Sequence, residues 1–171
     1  NSKNKLSLYL RGLVASSFIF ISCNMKIIPF EILPLQQEGV HPILHIEILD
    51  KKFKMVLDTG ASKTVLDRTT LLESGIDEQT LIETSILSSG LGTNEMQSAM
   101  YVLPYLKIGN WICKKFEVAV LDLSSINYAY SQINADPVVG VLGGDILYKY
   151  GAVINYKKRT LQLNERAAKI R

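Results

Sequence analysis

Residues 55–66 read Met55-Val56-Leu57-Asp58-Thr59-Gly60-Ala61-Ser62-Lys63-Thr64-Val65-Leu66. Met55, Val56 and Leu57 form the kind of apolar run that fills a buried strand. The run ends on a carboxylate, Asp58. It then turns through Thr59 and Gly60, the second of which tolerates a tight bend because it lacks a Cβ. Ala61 and Ser62 follow, and Val65-Leu66 lead away as a second apolar pair. Asp and Gly are common in ordinary turns. The apolar flanks set this turn apart, because they deliver the carboxylate at the end of a buried strand.

Outward from this stretch the chain reads as short strands. Residues 43–49 alternate, with Ile46 and Ile48 against His45 and Glu47, as a half-buried strand does. Residues 50–52 are expected to turn, and 53–57 to return toward Asp58. Asp67 is placed to cap a short helix over 68–74 that Gly75 ends. Residues 26–33 are β-rich, and 34–42 read as a connection. Strands are also expected over 81–88, 96–108, 111–121 and 138–142. A hairpin is expected from 152–155 and 160–163. Helical turns are expected over 124–134, capped by Ser124, and over 145–150. Many short strands at regular spacing indicate an all-β barrel or sandwich.

At 171 residues with 47% hydrophobic content, the chain suits one folded domain. Lys3, Lys5 and Arg11 carry its net charge of +3, and the other sixteen basic residues balance sixteen acidic ones. No basic patch points to nucleic acid, and Lys157-Lys158-Arg159 reads as a solvated turn. Cys23 and Cys113 form neither a disulfide framework nor a zinc pattern. Cys113 reads as a buried thiol. His41 and His45 have the spacing of a helical metal site, but Pro42 and the alternation that follows favour a strand. No cofactor or metal is implied. The sequence carries no P-loop and no Gly-x-Ser-x-Gly elbow.

Residues 1–24 stand apart from the domain at 25–164, and 165–171 read as a tail. Lys3, Lys5 and Arg11 precede the apolar run 13–21, a signal-like arrangement too short to span a bilayer. Residues 20–23 resemble a lipoprotein box, which would place a lipid on Cys23 and the protein at the cell envelope. Alternatively Met25 is the initiator and the protein is cytoplasmic.

Three features together resemble the retropepsin-like aspartic peptidases, the single-lobe relatives of pepsin. The first is Val56-Leu57-Asp58-Thr59-Gly60-Ala61-Ser62. The second is the glycine-bearing hairpin at 89–94, with Gly90, Leu91 and Gly92 where the family carries its flap. The third is Val139-Gly140-Val141-Leu142-Gly143-Gly144-Asp145, similar to the family's apolar-apolar-Gly segment ahead of a short helix. The resemblance covers residues 25–163, and the length is closer to bacterial members of the group.

The resemblance implies an acid-protease barrel with one or two short helices and a flap hairpin. It also implies aspartic-type endopeptidase activity on polypeptide substrates. Asp58 would be the catalytic carboxylate, Thr59 would bond across a two-fold axis, and Gly60 would turn a free amide toward the carboxylates. Ser62 could donate its hydroxyl to the outer oxygen of Asp58. Ala61, Ser62, Gly90, Leu91 and Gly92 would border the substrate. The mechanism needs two carboxylates, and Asp58 is the one aspartate followed by Thr-Gly or Ser-Gly. An active form would therefore be a homodimer. The alternative is a catalytically silent module that keeps the fold and binds protein.

Overall fold

The alternation over residues 43–48 becomes strand β3, Val40–Ile48, which pairs antiparallel with β4, Lys51–Leu57. Leu44, Ile46 and Ile48 point into the core, while His45 is exposed. Each such buried aliphatic side chain contributes about 1.5–3 kcal/mol by leaving water. The computed structural model describes residues 24–35, 39–84 and 98–167. The expected leader, apart from Asn24, and the hairpin at 89–94 with Gly90, Leu91 and Gly92 lie outside the described residues.

In chain order the described elements open with β1, Met25–Pro29, and β2, Glu31–Pro34. After β3 and β4 come β5, Val65–Asp67, and helix α1, Arg68–Glu73. A single 3-10 turn, Glu78–Thr80, leads to β6, Ile82–Thr84. The long hairpin is β7, Ser98–Ile108, with β8, Trp111–Leu121. Helix α2, Ser124–Ser131, precedes β9, Gly140–Leu142, and α3, Gly144–Lys149. The chain closes with β10, Val153–Asn155, and β11, Thr160–Asn164.

Six strands close into a barrel in the order β3-β4-β9-β5-β8-β7, with β3 meeting β7 at Ile46↔Ile108 and Glu47↔Lys107. Strands β2 and β6 extend this sheet on the outside of β3 and β7. A separate sheet, β1-β11-β10, packs Ile28, Leu161 and Leu163 onto the same core. Trp111 joins the two sheets. Its indole donates to the Asn164 carbonyl at 2.9 Å, and its ring meets Tyr150 edge-on with centroids 4.8 Å apart. Cys113 is buried here and shares a hydrogen bond with the Tyr150 hydroxyl at 3.1 Å.

Several local expectations shift. The β-rich segment 26–33 divides at Phe30, because its first half joins β11 and its second half joins β3. Strand β3 starts at Val40 and includes Pro42, which the connection 34–42 had claimed. Pro42 pairs with Ile32, and pairing with β4 starts only at Ile43, so the missing N–H faces no ladder on that side. The β3–β4 turn is Leu49-Asp50, both at positive φ (51° and 60°), and Lys51-Lys52 belong to the strand. Tyr105 braces that turn: the Asp50 amide donates to its hydroxyl at 2.8 Å, and the hydroxyl donates to Asp50 Oδ1 at 2.7 Å. Ser124 is the first residue of α2, not its cap. Leu123 takes the cap position, and Asp122 accepts the Ser124 amide instead.

Other expectations stand as read. Asp67 caps α1 by accepting the Thr70 amide, and 157–159 lie in the turn between β10 and β11. Asn24, grouped with the leader, accepts the amide of Glu165, and Lys26 pairs with the Glu165 carboxylate at 2.7 Å. Both ends of the described chain are thus tied to the sheet they flank.

Candidate active site

Strand β4 delivers Asp58, and β5 carries the chain away from residues 59–64. Strand β9 runs between the two, parallel to β4 (Val56↔Val141) and antiparallel to β5 (Val65↔Val141). The loop therefore arches over the junction of β9 and α3. Glycine is required at this crossing. A Cβ on Gly140 would lie 1.9 Å from the Val65 carbonyl oxygen, and one on Gly143 would lie 2.4 Å from the Lys63 carbonyl. The apolar-apolar-Gly pattern exists because two backbones touch here.

The arch is bonded along its length. The Asp58 amide donates to the Leu142 carbonyl at 3.1 Å. The Gly144 and Asp145 amides donate to the carbonyls of Ala61 (2.7 Å) and Ser62 (3.1 Å). Thr64 is fully buried. Its hydroxyl accepts the Gly143 amide at 3.1 Å and donates to Asp145 Oδ1 at 2.7 Å. The Thr64 amide is shared between both Asp145 oxygens at 3.0 and 2.9 Å, and the Ile146 amide donates to Oδ1. One carboxylate thus holds the end of the loop against the start of α3.

At the tip, Asp58 is half-buried, while Thr59 and Gly60 are exposed. The Gly60 amide donates to Asp58 Oδ1 at 2.8 Å, which fixes the carboxylate's orientation. A Cβ on Gly60 would press against that oxygen at 3.2 Å. The Asp58 bond thus comes from Gly60. Ser62 is exposed and contributes its carbonyl to Asp145, and Ala61 is half-buried beside it. A carboxylate fixed on a rigid, solvent-facing loop can take or share a proton.

Sequence reading missed Thr64, Asp145 and Tyr130. Asp145 carried a signal, since an acid in the first turn after two glycines can face a backbone above it. Tyr130 carried none. It is 4% exposed on α2 and shares a hydrogen bond with His41 Nδ1. Burial, with a smaller contribution from the charge of Asp58, pushes its phenol up to about 12. His45 bonds Glu31 at 2.8 Å, so the two strand histidines serve separate partners. Among the described residues no three potential metal ligands cluster.

A closed β-barrel in which a glycine strand braces an Asp-Thr-Gly loop defines the architecture of the retropepsin-like, single-lobe aspartic proteases. The family model described as aspartyl protease matches residues 44–146, well over half of the chain, and the chain belongs to that family. It resembles the crystal structure of a retropepsin-like aspartic protease from Rickettsia conorii, with TM-score 0.51 and 23% identity over 84% of this chain and 90% of that one. It also resembles the retroviral protease-like domain of Ddi1 from Leishmania major, with TM-score 0.51 and 12% identity over 73% of this chain and 89% of that one. At these identities the likeness speaks for the fold. No match is found among curated proteins.

Proposed function

We propose that this chain is an aspartic endopeptidase that works as a homodimer, with Asp58 of each copy facing the other across a two-fold axis. The observation that carries this reading is the setting of Asp58. It is half-buried at the end of β4, oriented by the Gly60 amide, and mounted on a braced loop whose Thr59-Gly60 tip is open to a second copy. Membership of the aspartyl protease family supports it.

Two carboxylates within hydrogen-bond reach share one proton, because like charges so close do not both ionise easily. The ionised member takes a proton from water, and the water oxygen attacks the peptide carbonyl carbon. The protonated member gives its proton to the carbonyl oxygen. Collapse breaks the C–N bond, and the amine leaves with a proton returned from the pair. Thr59 would stabilise the facing loops, and Ala61 and Ser62 would border the bound peptide.

The test is incubation with a random peptide library between pH 4 and 7, comparing the wild-type chain with Asp58→Asn. Cleavage by the first and not the second is expected. Peptide binding without cleavage by the wild-type chain would favour the silent binding module instead.

A further inference from the structure

The sheet β1-β11-β10 turns one face to the core and the other outward. Its inward row is Ile28, Leu161 and Ile154. The registers Ile27↔Gln162 and Val153↔Gln162 set Ile27, Gln162 and Val153 side by side on the outward face. Met25↔Asn164 and Pro29↔Thr160 flank that row. An antiparallel sheet with one solvated face normally clothes it in polar side chains. Here Met25, Ile27 and Val153 are 41%, 60% and 48% exposed, and Pro29 is exposed beside them.

Charge divides along the same line. Residues 31–145 carry fifteen acidic side chains and eight basic ones. Residues 24–30 and 146–171 carry eight basic side chains and a single acid, Glu165, which pairs with Lys26. Lys157, Lys158 and Arg159 are exposed in the β10–β11 turn, at the Pro29 end of the face. Among the described residues none of these three pairs with a carboxylate. Tyr156, 56% exposed, opens that turn. At the other end Asn24 accepts the Glu165 amide. Residues 1–23, with their basic side chains and the apolar run 13–21, therefore join the domain at a corner of this sheet.

We propose that the outward face of this sheet rests on an anionic lipid bilayer. Met25, Ile27 and Val153 enter the boundary between headgroups and acyl chains, and Tyr156 sits at headgroup level. Lys157, Lys158 and Arg159 meet the lipid anions. The acid-rich remainder of the domain is repelled by the same surface, so the domain is held in one orientation. A nucleic acid strand would meet the cations but leave Ile27 and Val153 without an apolar partner. The inference is independent of the peptidase reading and of a lipid on Cys23.

The test sediments the full chain with vesicles of phosphatidylcholine, alone or mixed with phosphatidylglycerol. Tighter binding to the mixed vesicles is expected, weakened by salt. Lys157→Gln/Lys158→Gln/Arg159→Gln should lose about fivefold per charge, roughly a hundredfold in all. Ile27→Gln/Val153→Gln should lose about tenfold. The two sets are independent, so one decides if the other misfolds. Residues 1–23 are present in every variant and cancel in these ratios. Should they hold every variant on the vesicles, a polarity-sensitive dye decides, placed in a Cys23→Ser chain at Gln162→Cys or, beside the Asp58 loop, at Glu117→Cys. Its emission should shift blue on mixed vesicles at the first position only. Equal shifts at both positions, or none, would overturn the docked face, as would binding indifferent to phosphatidylglycerol. Variants that alter self-association while the dye response stays at the wild-type level would mark a contact between copies and overturn it too. So would tighter binding to a single-stranded oligonucleotide than to mixed vesicles.

Discussion

Thr64 and Asp145, on opposite sides of the strand crossing, form one unit: the Thr64 amide and hydroxyl both donate to the Asp145 carboxylate, at 2.7 to 3.0 Å. The loop carrying Asp58 is thereby anchored by a side chain that never reaches its tip. The same carboxylate accepts the Ile146 amide at the start of α3.

Asp145→Ala would leave a buried amide and hydroxyl without that acceptor. The expected loss is about 1–3 kcal/mol, the cost of unsatisfied buried donors. Asp145→Asn keeps one acceptor oxygen and should lose less. Urea denaturation of the three proteins checks the order. Peptidase turnover should fall in parallel with the loss of loop anchoring, and equal stabilities would remove the anchoring role.

Gly140 and Gly60 are expected to separate stability from activity. A methyl at Gly140 meets the Val65 carbonyl oxygen at 1.9 Å, between the paired backbones of β9 and β5. Gly140→Ala should cost at least the 1–3 kcal/mol typical of overpacking and, by opening the β9–β5 ladder, prevent normal folding. A methyl at Gly60 meets only the Asp58 side chain, at 3.2 Å. Gly60→Ala should melt within a few degrees of wild type yet show reduced turnover. Circular dichroism melts beside peptide cleavage rates distinguish the two.

The sequence exposed whatever depends on neighbours along the chain. Asp58 could be found because an apolar run precedes it and a glycine follows it. The 111–121 strand and the Asp67 cap were readable for the same reason. The Leu49-Asp50 turn was misplaced by a residue or two because leucine rarely adopts positive φ, and its brace, Tyr105, comes from another hairpin. Gly140 was visible as part of a pattern, but its cause is a contact with Val65 that no local reading contains. Thr64–Asp145 and His41–Tyr130 were hidden in the same way, since each pair meets only when distant strands and helices pack.

Alkaline stability should carry the signature of Tyr130. Its folded-state phenol is raised to about 12, against an ordinary value of 10.0. A group raised in the folded state contributes stability that is fully present below its unfolded value. That contribution fades as pH rises from about 10 toward 12. Between pH 8 and 11.5 the wild-type chain should therefore lose about 1–2 kcal/mol more than Tyr130→Phe, which has no phenol to ionise. Tyr150 is raised too, by burial and by its bond to Cys113, and both proteins share its effect. Urea titrations across this range, read as the difference between the two proteins, isolate Tyr130. Parallel curves would mean that its hydroxyl ionises as freely as in the unfolded chain.

The proposed homodimer rests on counting carboxylates. One chain supplies one Asp-Thr-Gly, and its Thr59-Gly60 tip is exposed. A two-fold dimer is the simplest closed arrangement that sets two copies of Asp58 face to face. Activity per chain should then fall on dilution once the concentration drops below the dimer dissociation constant. Mixing wild-type chains with a roughly ninefold excess of Asp58→Asn chains should cut activity to about a tenth, because random pairing leaves few dimers with two carboxylates. Adding a chain unable to pair should do nothing. Sedimentation and cleavage measured across one dilution series decide the matter. Full specific activity from a sedimenting monomer would require a different second acid within the chain, and Asp145, committed to Thr64, is not free to be it.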